Sequence, residues 1–418
     1  MAGGGLYEIK AYVAIAKEPV FVGTGGYRIG RVDNTIVREP GTNLPKVPGT
    51  TIEGNARYYS WLHYKSVLNN QINIACAKGK KTRDQNDEES SPCGNCPVCI
   101  AYGYVNREED QKSMAGLAHF SDTRILFFPV STMIGPVWIT APSILTDALD
   151  QTSNIELQTK KGFLVSKELD PFLPEIKDRK KVLNFGWIML EKEEGEGIKD
   201  YDTWQLKNGG SINSIFEKMK NRFCIVPDDI FAQIVNSNLE TRTSVSINPL
   251  TGAAESGALF TYEAIPRGTV FWFEVTYENP ANYNLYSESL LTITHTVECG
   301  LNLFSSLGIG GMGTRGFGKM EILIEEKDER NFIHGVGSVL DSLRKEIDSL
   351  NKKIQDEEDL NKKSKLEIDQ NIFKKKIDIW CKYLNHLKEE LHENISRKEE
   401  ILKNLENVLS KCPEGGQS

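Results

Sequence analysis

The stretch Gly308-Ile-Gly-Gly-Met-Gly-Thr-Arg-Gly-Phe-Gly-Lys319 decides what kind of sheet this chain builds. Its first six residues carry the glycine spacing of a dinucleotide-binding turn. That turn works only when a strand feeds it and a helix leaves it, so that the helix N-terminus faces a pyrophosphate. Here the order is reversed, because a helical pattern over roughly 287–306 precedes the loop and the strand-prone Lys319–Ile324 follows it. The reversed order argues against a nucleotide-cofactor site. What remains is a glycine-lined backbone with one cation, Arg315, able to lie against a phosphate chain; a tight helix-to-strand connection packed by Phe317 is the competing reading.

Working outward, residues 6–16 alternate with Ile9, Ala11, Val13 and Ile15 on one face, which predicts a strand. Thr50-Thr51-Ile52-Glu53 has the spacing of a capping box, and Ile52, Ala56, Tyr59 and Leu62 continue at helical intervals. Leu117–Val130 and Ile134–Thr140 read as strands, 211–223 and 227–235 as short helices. A turn signal at Pro249–Gly252 predicts a hairpin over 238–266, followed by the β-prone run Val270–Tyr277. The uneven alternation of strands and helices predicts an α+β sheet rather than a regular parallel array.

From about 336 the pattern changes. Leu340, Leu343, Ile347, Leu350 and Ile354 are spaced 3-4-3-4, as are Ile377, Trp380, Leu384, Leu387 and Leu391. This predicts two coiled-coil helices in an antiparallel hairpin, with an intermolecular coiled coil as the rival. The expected organisation is a body over 1–330, containing a metal-binding insertion over 70–110, and a helical coiled-coil extension over 331–418.

Cys76, Cys93, Cys96 and Cys99 flank a polar stretch with no core of its own. Two-residue spacers let thiolates converge on one ion, and four thiolates complete a closed structural zinc site. A redox pair or unligated thiols are the alternatives. Cys224, Cys299, Cys381 and Cys412 read as packing or surface residues.

With 50 basic and 58 acidic side chains the net charge is −8, so a protein coated in positive charge is excluded. Residues 1–65, however, hold eight basic groups against five acidic ones, which leaves room for a local polyanion site. No run approaches the roughly 18 apolar residues of a membrane span, and the N-terminal segment lacks a signal-peptide pattern. A cytoplasmic protein with no membrane partner is expected.

Four motifs in order resemble the RAMP superfamily of CRISPR-associated proteins, and within it the backbone-subunit family of type III-B effectors. They are Val32-Asp-Asn-Thr-Ile-Val-Arg-Glu-Pro-Gly…Val-Pro-Gly-Thr-Thr-Ile-Glu-Gly-Asn-Ala-Arg57, then Leu117–Val130, Glu255–Pro266 and Gly308–Lys319. The cysteine cluster before Ala101-Tyr-Gly-Tyr104 is similar to the zinc insertion of some type III backbone subunits. The resemblance implies a ferredoxin-like (RRM-like) palm with a thumb. It implies copies stacked as a filament along a CRISPR guide RNA, beside other type III effector subunits. It also implies cleavage of complementary target RNA at regular intervals, with a divalent cation (Mg or Mn) and 2′,3′-cyclic phosphate ends. Its cleavage carboxylate falls on Asp33; from residue type alone, Asp33 reads as a turn residue.

RNA contacts are expected from Arg31, Arg38, Thr50, Thr51, Arg57, Arg242, Arg315 and Lys319. Three positions depart from the pattern: Phe21-Val22 stands where a His is common, Glu53 replaces a Lys, and Ser131 stands where an Arg follows Pro-Val. A non-cleaving scaffold that recruits partners through its C-terminal helices is the alternative function.

Overall fold

A computed structural model describes residues 5–25, 32–68, 72–83, 89–105, 113–150, 161–176, 180–199, 201–283, 289–324, 329–357, 359–393 and 399–412. In chain order the elements used below are β1 (Tyr7–Ala16), α1 (Gly49–Val67), α2 (Ile74–Lys78), α3 (Pro97–Tyr102), β2 (Ala118–Phe120), β3 (Arg124–Thr132), β4 (Gly135–Thr140), β5 (Leu164–Val165), β6 (Val182–Phe185) and β7 (Ile188–Glu191). There follow β8 (Phe223–Ile225), α4 (Asp228–Ser237), β9 (Glu240–Ile247), β10 (Ala254–Ala264), β11 (Val270–Glu278), α5 (Leu290–Asn302), β12 (Met320–Leu323), α6 (Glu329–Asp356), α7 (Leu360–Glu393) and α8 (Glu399–Leu409).

The main sheet runs β12-β1-β11-β3-β4-β8-β5, with β2 also on β11. Each neighbouring pair in the order β12-β1-β11-β3 is antiparallel, and α1 and α5 are the helices that follow β1 and β11. The expectation of a mixed α and β fold holds. β1 is buried on both faces rather than one: Tyr12, Ala14 and Ala16 join the core under α1 and α5, while Ala11, Val13 and Ile15 join a second core around Trp204, Phe216 and Phe223. Phe223 is not the end of a helix; it opens β8, which adds a parallel strand to β4.

α1 starts where the sequence predicts, but the capping box does not form. Pro48 occupies the cap position and no side chain of its own segment caps the helix. Asp122 does this from a distance, accepting the Gly49 N–H at 2.8 Å and the Lys46 ammonium at 2.5 Å. Partial burial opposes ionisation there, yet the Lys46 and Gly49 contacts outweigh it and hold the carboxyl below its ordinary value. Asp122 lies in the interruption between β2 and β3, where Thr123 pairs with Val47. Gly49 is required because a Cβ there would sit 2.6 Å from the Phe120 carbonyl.

α1 and α5 cross tightly at Gly300, whose added Cβ would lie 2.3 Å from the Ala56 carbonyl. The C-terminal helices fold back against this pair. Leu340, Leu343, Ile377, Trp380 and Leu384 are buried in the same cluster as α1 and α5, and His295 of α5 bonds the Tyr383 hydroxyl at 2.5 Å. α8 is a further helix that the heptad pattern did not reveal, held to α6 by Lys411–Asp341 and to α7 by Lys388–Glu406. Its return corrects one cysteine reading: Cys381 and Cys412 form a disulfide, while Cys224 and Cys299 are buried and outside any disulfide. Among the described residues no helix is long and apolar enough to cross a membrane.

Candidate nucleic-acid interface and cysteine cluster

The glycine loop, the segment around Asp33 and the hairpin β9–β10 meet on one side of the sheet. Asp33 is half-exposed and its Oδ2 accepts both the backbone N–H and the hydroxyl of Thr261, each at 2.8 Å. The Thr261 hydroxyl in turn accepts the Asp33 N–H at 2.9 Å. The two Thr261 donors favour the ionised form and hold the Asp33 carboxyl below its ordinary value. Asn34 continues the contact as a bridge to Tyr262. Thr261 is the partner that sequence reasoning missed, and only its alternation with Phe260 and Tyr262 on a strand hinted that it faces away from the ring pair.

Phe21 couples this segment to the glycine loop. Its ring packs edge-on against Tyr262 and Phe317, and its carbonyl accepts the Gly311 N–H at 2.9 Å. Gly310 has a positive φ of 74° and a Cβ there would fall 2.4 Å from that carbonyl, so glycine is obligatory. Position 21 therefore packs the loop instead of supplying an imidazole. On the other side, the Tyr59 hydroxyl donates to the Gly308 carbonyl at 2.6 Å. Between α1 and the loop lies an open cleft of about 620 Å³ lined by Asn55, Tyr59, Gly310, Gly313, Thr314 and Arg315.

The expected cations divide sharply. Arg315 is exposed at the cleft. Thr50 is exposed and Thr51 half-exposed on the first turn of α1. Arg38 is half-buried against Glu263 at 2.7 Å and donates to Asn236 at 3.0 Å. Arg242 pairs with Glu240 at 2.6 Å, donates to the Gly316 carbonyl at 3.1 Å and lies over the Phe317 ring, so it braces the hairpin against the glycine loop. Lys319 pairs with Glu18 at 3.2 Å. Arg31 lies outside the described residues.

Arg57 requires a correction. It is buried, and its guanidinium donates to the carbonyls of Cys76, Tyr102 and Gly103 at 2.6–3.1 Å, leaving it facing away from the cleft. Neighbouring Glu53 is pushed up by burial, which Arg57 offsets only in part. Arg57 thus ties the cysteine module to α1.

Within that module the four sulfur atoms of Cys76, Cys93, Cys96 and Cys99 lie within 4.8 Å of one another. α2 carries Cys76 and α3 carries Cys99, with Cys96 at its N-cap. Zinc–thiolate bonds of about 2.3 Å require this kind of convergence. Backbone N–H groups already point at two of the sulfurs, Cys93 N at Cys76 Sγ and Cys99 N at Cys96 Sγ, both 3.4 Å. The four-cysteine set fits a closed metal site.

The RAMP superfamily model matches residues 14–321. The chain belongs to the RAMP superfamily. This RAMP protein is 26% identical over 343 residues to the CRISPR system Cmr endoribonuclease Cmr4 of Pyrococcus furiosus, an alignment spanning 78% of this chain and 99% of that protein. Among solved structures it is similar to a type III-B Cmr-β complex studied by cryo-EM in the apo state, with a TM-score of 0.49 and 14% identity over 77% of this chain and 99% of the other. It is similar as well to crystalline oligomeric Cmr4 from Pyrococcus furiosus, with a TM-score of 0.44 and 18% identity over 76% and 99%.

Proposed function

We propose that this RAMP protein is a cytoplasmic backbone subunit of a type III-B CRISPR effector. In this reading it stacks with copies of itself and other effector subunits along a guide RNA and cuts complementary target RNA at regular intervals. The β12-β1-β11-β3 sheet with α1 and α5 serves as the ferredoxin-like palm, the β9–β10 hairpin as the thumb, and a zinc ion closes the cysteine module. Likeness to the Pyrococcus furiosus endoribonuclease supports the assignment. A further support is Gly54 in the interior of α1, where a Cβ would meet nothing within 4 Å. This exposed position on a partly buried helix gives up stability to keep a glycine, which suits a backbone approached by a ligand.

The single observation that carries cleavage is the Asp33–Thr261 clamp. RNA supplies its own nucleophile, so the protein must position the 2′-hydroxyl in line with the scissile phosphate and accept its proton. Attack forms the 2′,3′-cyclic phosphate and expels a 5′-hydroxyl. With Oδ2 fixed by Thr261, the carboxylate is ionised and oriented before RNA arrives. A divalent cation bound here would take Asp33 as its protein ligand and phosphate oxygens for much of the remainder, and would neutralise developing charge.

A second reading, the non-cleaving scaffold, is favoured by the same clamp, since a carboxylate that staples a loop to a hairpin has a structural use. Asp33→Asn separates the two because it keeps an acceptor for Thr261. In particles assembled on guide RNA, target cleavage should fall by about a hundredfold or more while guide and target binding persist. Equal cleavage by Asp33→Asn particles leaves only the scaffold.

A further inference from the structure

Of the six tryptophans, Trp61, Trp204, Trp272 and Trp380 are buried and Trp138 is half-buried, whereas Trp187 is 93% exposed. It stands at the two-residue turn Gly186-Trp187 between β6 and β7, outside every contact described for the Asp33 site. The turn is held firmly. Phe185 packs edge-on against Phe163 in the core, the Asn184 side chain accepts the Met133 N–H at 2.7 Å, and the Gly186 N–H donates to the Ser131 carbonyl at 3.3 Å. Gly186 has a positive φ of 63°, and a Cβ there would strike the Asn238 amide at 2.6 Å. The fold therefore fixes the backbone on each side of the indole and leaves the ring in water.

We propose that Trp187 is a stacking platform for an unpaired base of single-stranded RNA. This deepens the RNA-binding reading above and rests on it. Two observations favour RNA over a protein. The turn abuts Asn238 at the root of β9, two residues from the Asn236 that holds Arg38, so it continues the candidate interface. The same hairpin borders an open groove of about 830 Å³ lined by Lys161, Lys180, Lys181 and Lys192 together with Glu191, Glu193 and Glu194. Lys180 pairs with Glu191, and Lys181 and Lys192 pair with Asp170, so the groove carries both signs of charge and is not by itself a phosphate track. One indole flanked by the half-exposed thioethers of Met133 and Met189 offers far less than the roughly 800 Å² per partner of a stable protein contact. An exposed aromatic face on a firmly held turn matches the stacking half of single-strand binding, a ring on which a base can lie.

The test is a titration of the full chain with an unstructured single-stranded RNA, read by anisotropy of labelled RNA and by intrinsic tryptophan fluorescence. Wild type should bind with quenched fluorescence. Trp187→Ala, checked for an unchanged melting curve, should bind roughly tenfold more weakly and lose most of the quench, and Trp187→Phe should recover most of the affinity. Binding without quench, or equal affinity in Trp187→Ala, overturns the platform while leaving RNA binding intact. No binding by wild type overturns the RNA reading beneath it. An RNA-free self-association abolished by Trp187→Ala assigns the ring to a contact between copies and also overturns the proposal.

Discussion

Replacing Arg57 by Ala tests whether this residue is a strut or an RNA contact. The structure gives its guanidinium four N–H bonds onto three carbonyls, from Cys76, Tyr102 and Gly103, all in buried residues. Hydrogen bonds to a charged donor contribute about 1.5–3 kcal/mol each and do not add in full. Removing the donor also strands three buried acceptors, so a loss of about 3–5 kcal/mol is expected. At about 2.1 cal/mol/K per residue, a cooperative unit of roughly 300 residues unfolds with an entropy near 0.6 kcal/mol/K, so the melting temperature should drop by roughly 5–8 °C. The assay is calorimetry on the purified chain, with metal content and RNA affinity measured on the same sample well below either melting point. A folded variant should keep its RNA affinity and its salt dependence. An Arg touching phosphate would instead leave the melt unchanged and lower the salt slope by about 0.7–0.9. That second pattern refutes the buried-strut assignment.

Three further outcomes follow from other contacts. In Thr261→Val the carboxylate keeps the backbone N–H but loses the hydroxyl, so the Asp33 carboxyl, followed by carbon NMR, should titrate higher than in wild type while staying below the ordinary value of about 3.9. Because the folded value is depressed, the stability linked to Asp33 is present above the ordinary carboxylate range and lost as pH falls through the folded value; an unmoved titration excludes the clamp. Gly300→Ala should destabilise by about 1–3 kcal/mol in chemical denaturation, since its Cβ meets a backbone carbonyl at 2.3 Å, whereas Gly54→Ala should stabilise by about 0.5–1 kcal/mol; equal effects contradict the packing described. Chelation or Cys96→Ser should release one zinc per chain and lower the melting temperature, and a metal-free wild type of unchanged melt would rule out a structural ion.

Local signals carried most of the architecture. The period-2 pattern of β1, the Pro249–Gly252 turn, the helix before the glycine loop and the strand after it are all visible without partners, because each depends on neighbours within a few residues. What stayed hidden depends on long-range contacts. Asp122 caps α1 across 73 positions, and Thr261 reaches Asp33 across 228. Arg57 read as a cation for RNA because its residue type fits phosphate, while only the folded chain shows three carbonyls converging on it. The disulfide followed the same logic, since nothing local predicts that α8 returns Cys412 to Cys381. Exposure of Trp187 was equally invisible, because a Trp beside β-prone residues reads as core.

The candidate interface is positioned by a chain of close approaches that runs from Gly300 through Tyr59 and Phe21. Gly300 lets α5 settle on α1, and the Tyr59 hydroxyl then fixes where the glycine loop begins by holding the Gly308 carbonyl. Phe21 holds the middle of that loop through Gly311 and meets Tyr262, the neighbour of the residue that clamps Asp33. A bulky residue at Gly300 should therefore disturb RNA cleavage without touching RNA, since displacement of α5 passes through Tyr59 and Phe21 to the carboxylate. Several of the expected cations are committed to bracing these same joints: Arg38 to Glu263, Arg242 to Glu240 and Gly316, Arg57 to the cysteine module. On the proposed reading that leaves backbone N–H groups and Arg315 for a phosphate chain, so geometry would supply the donors that a net charge of −8 does not.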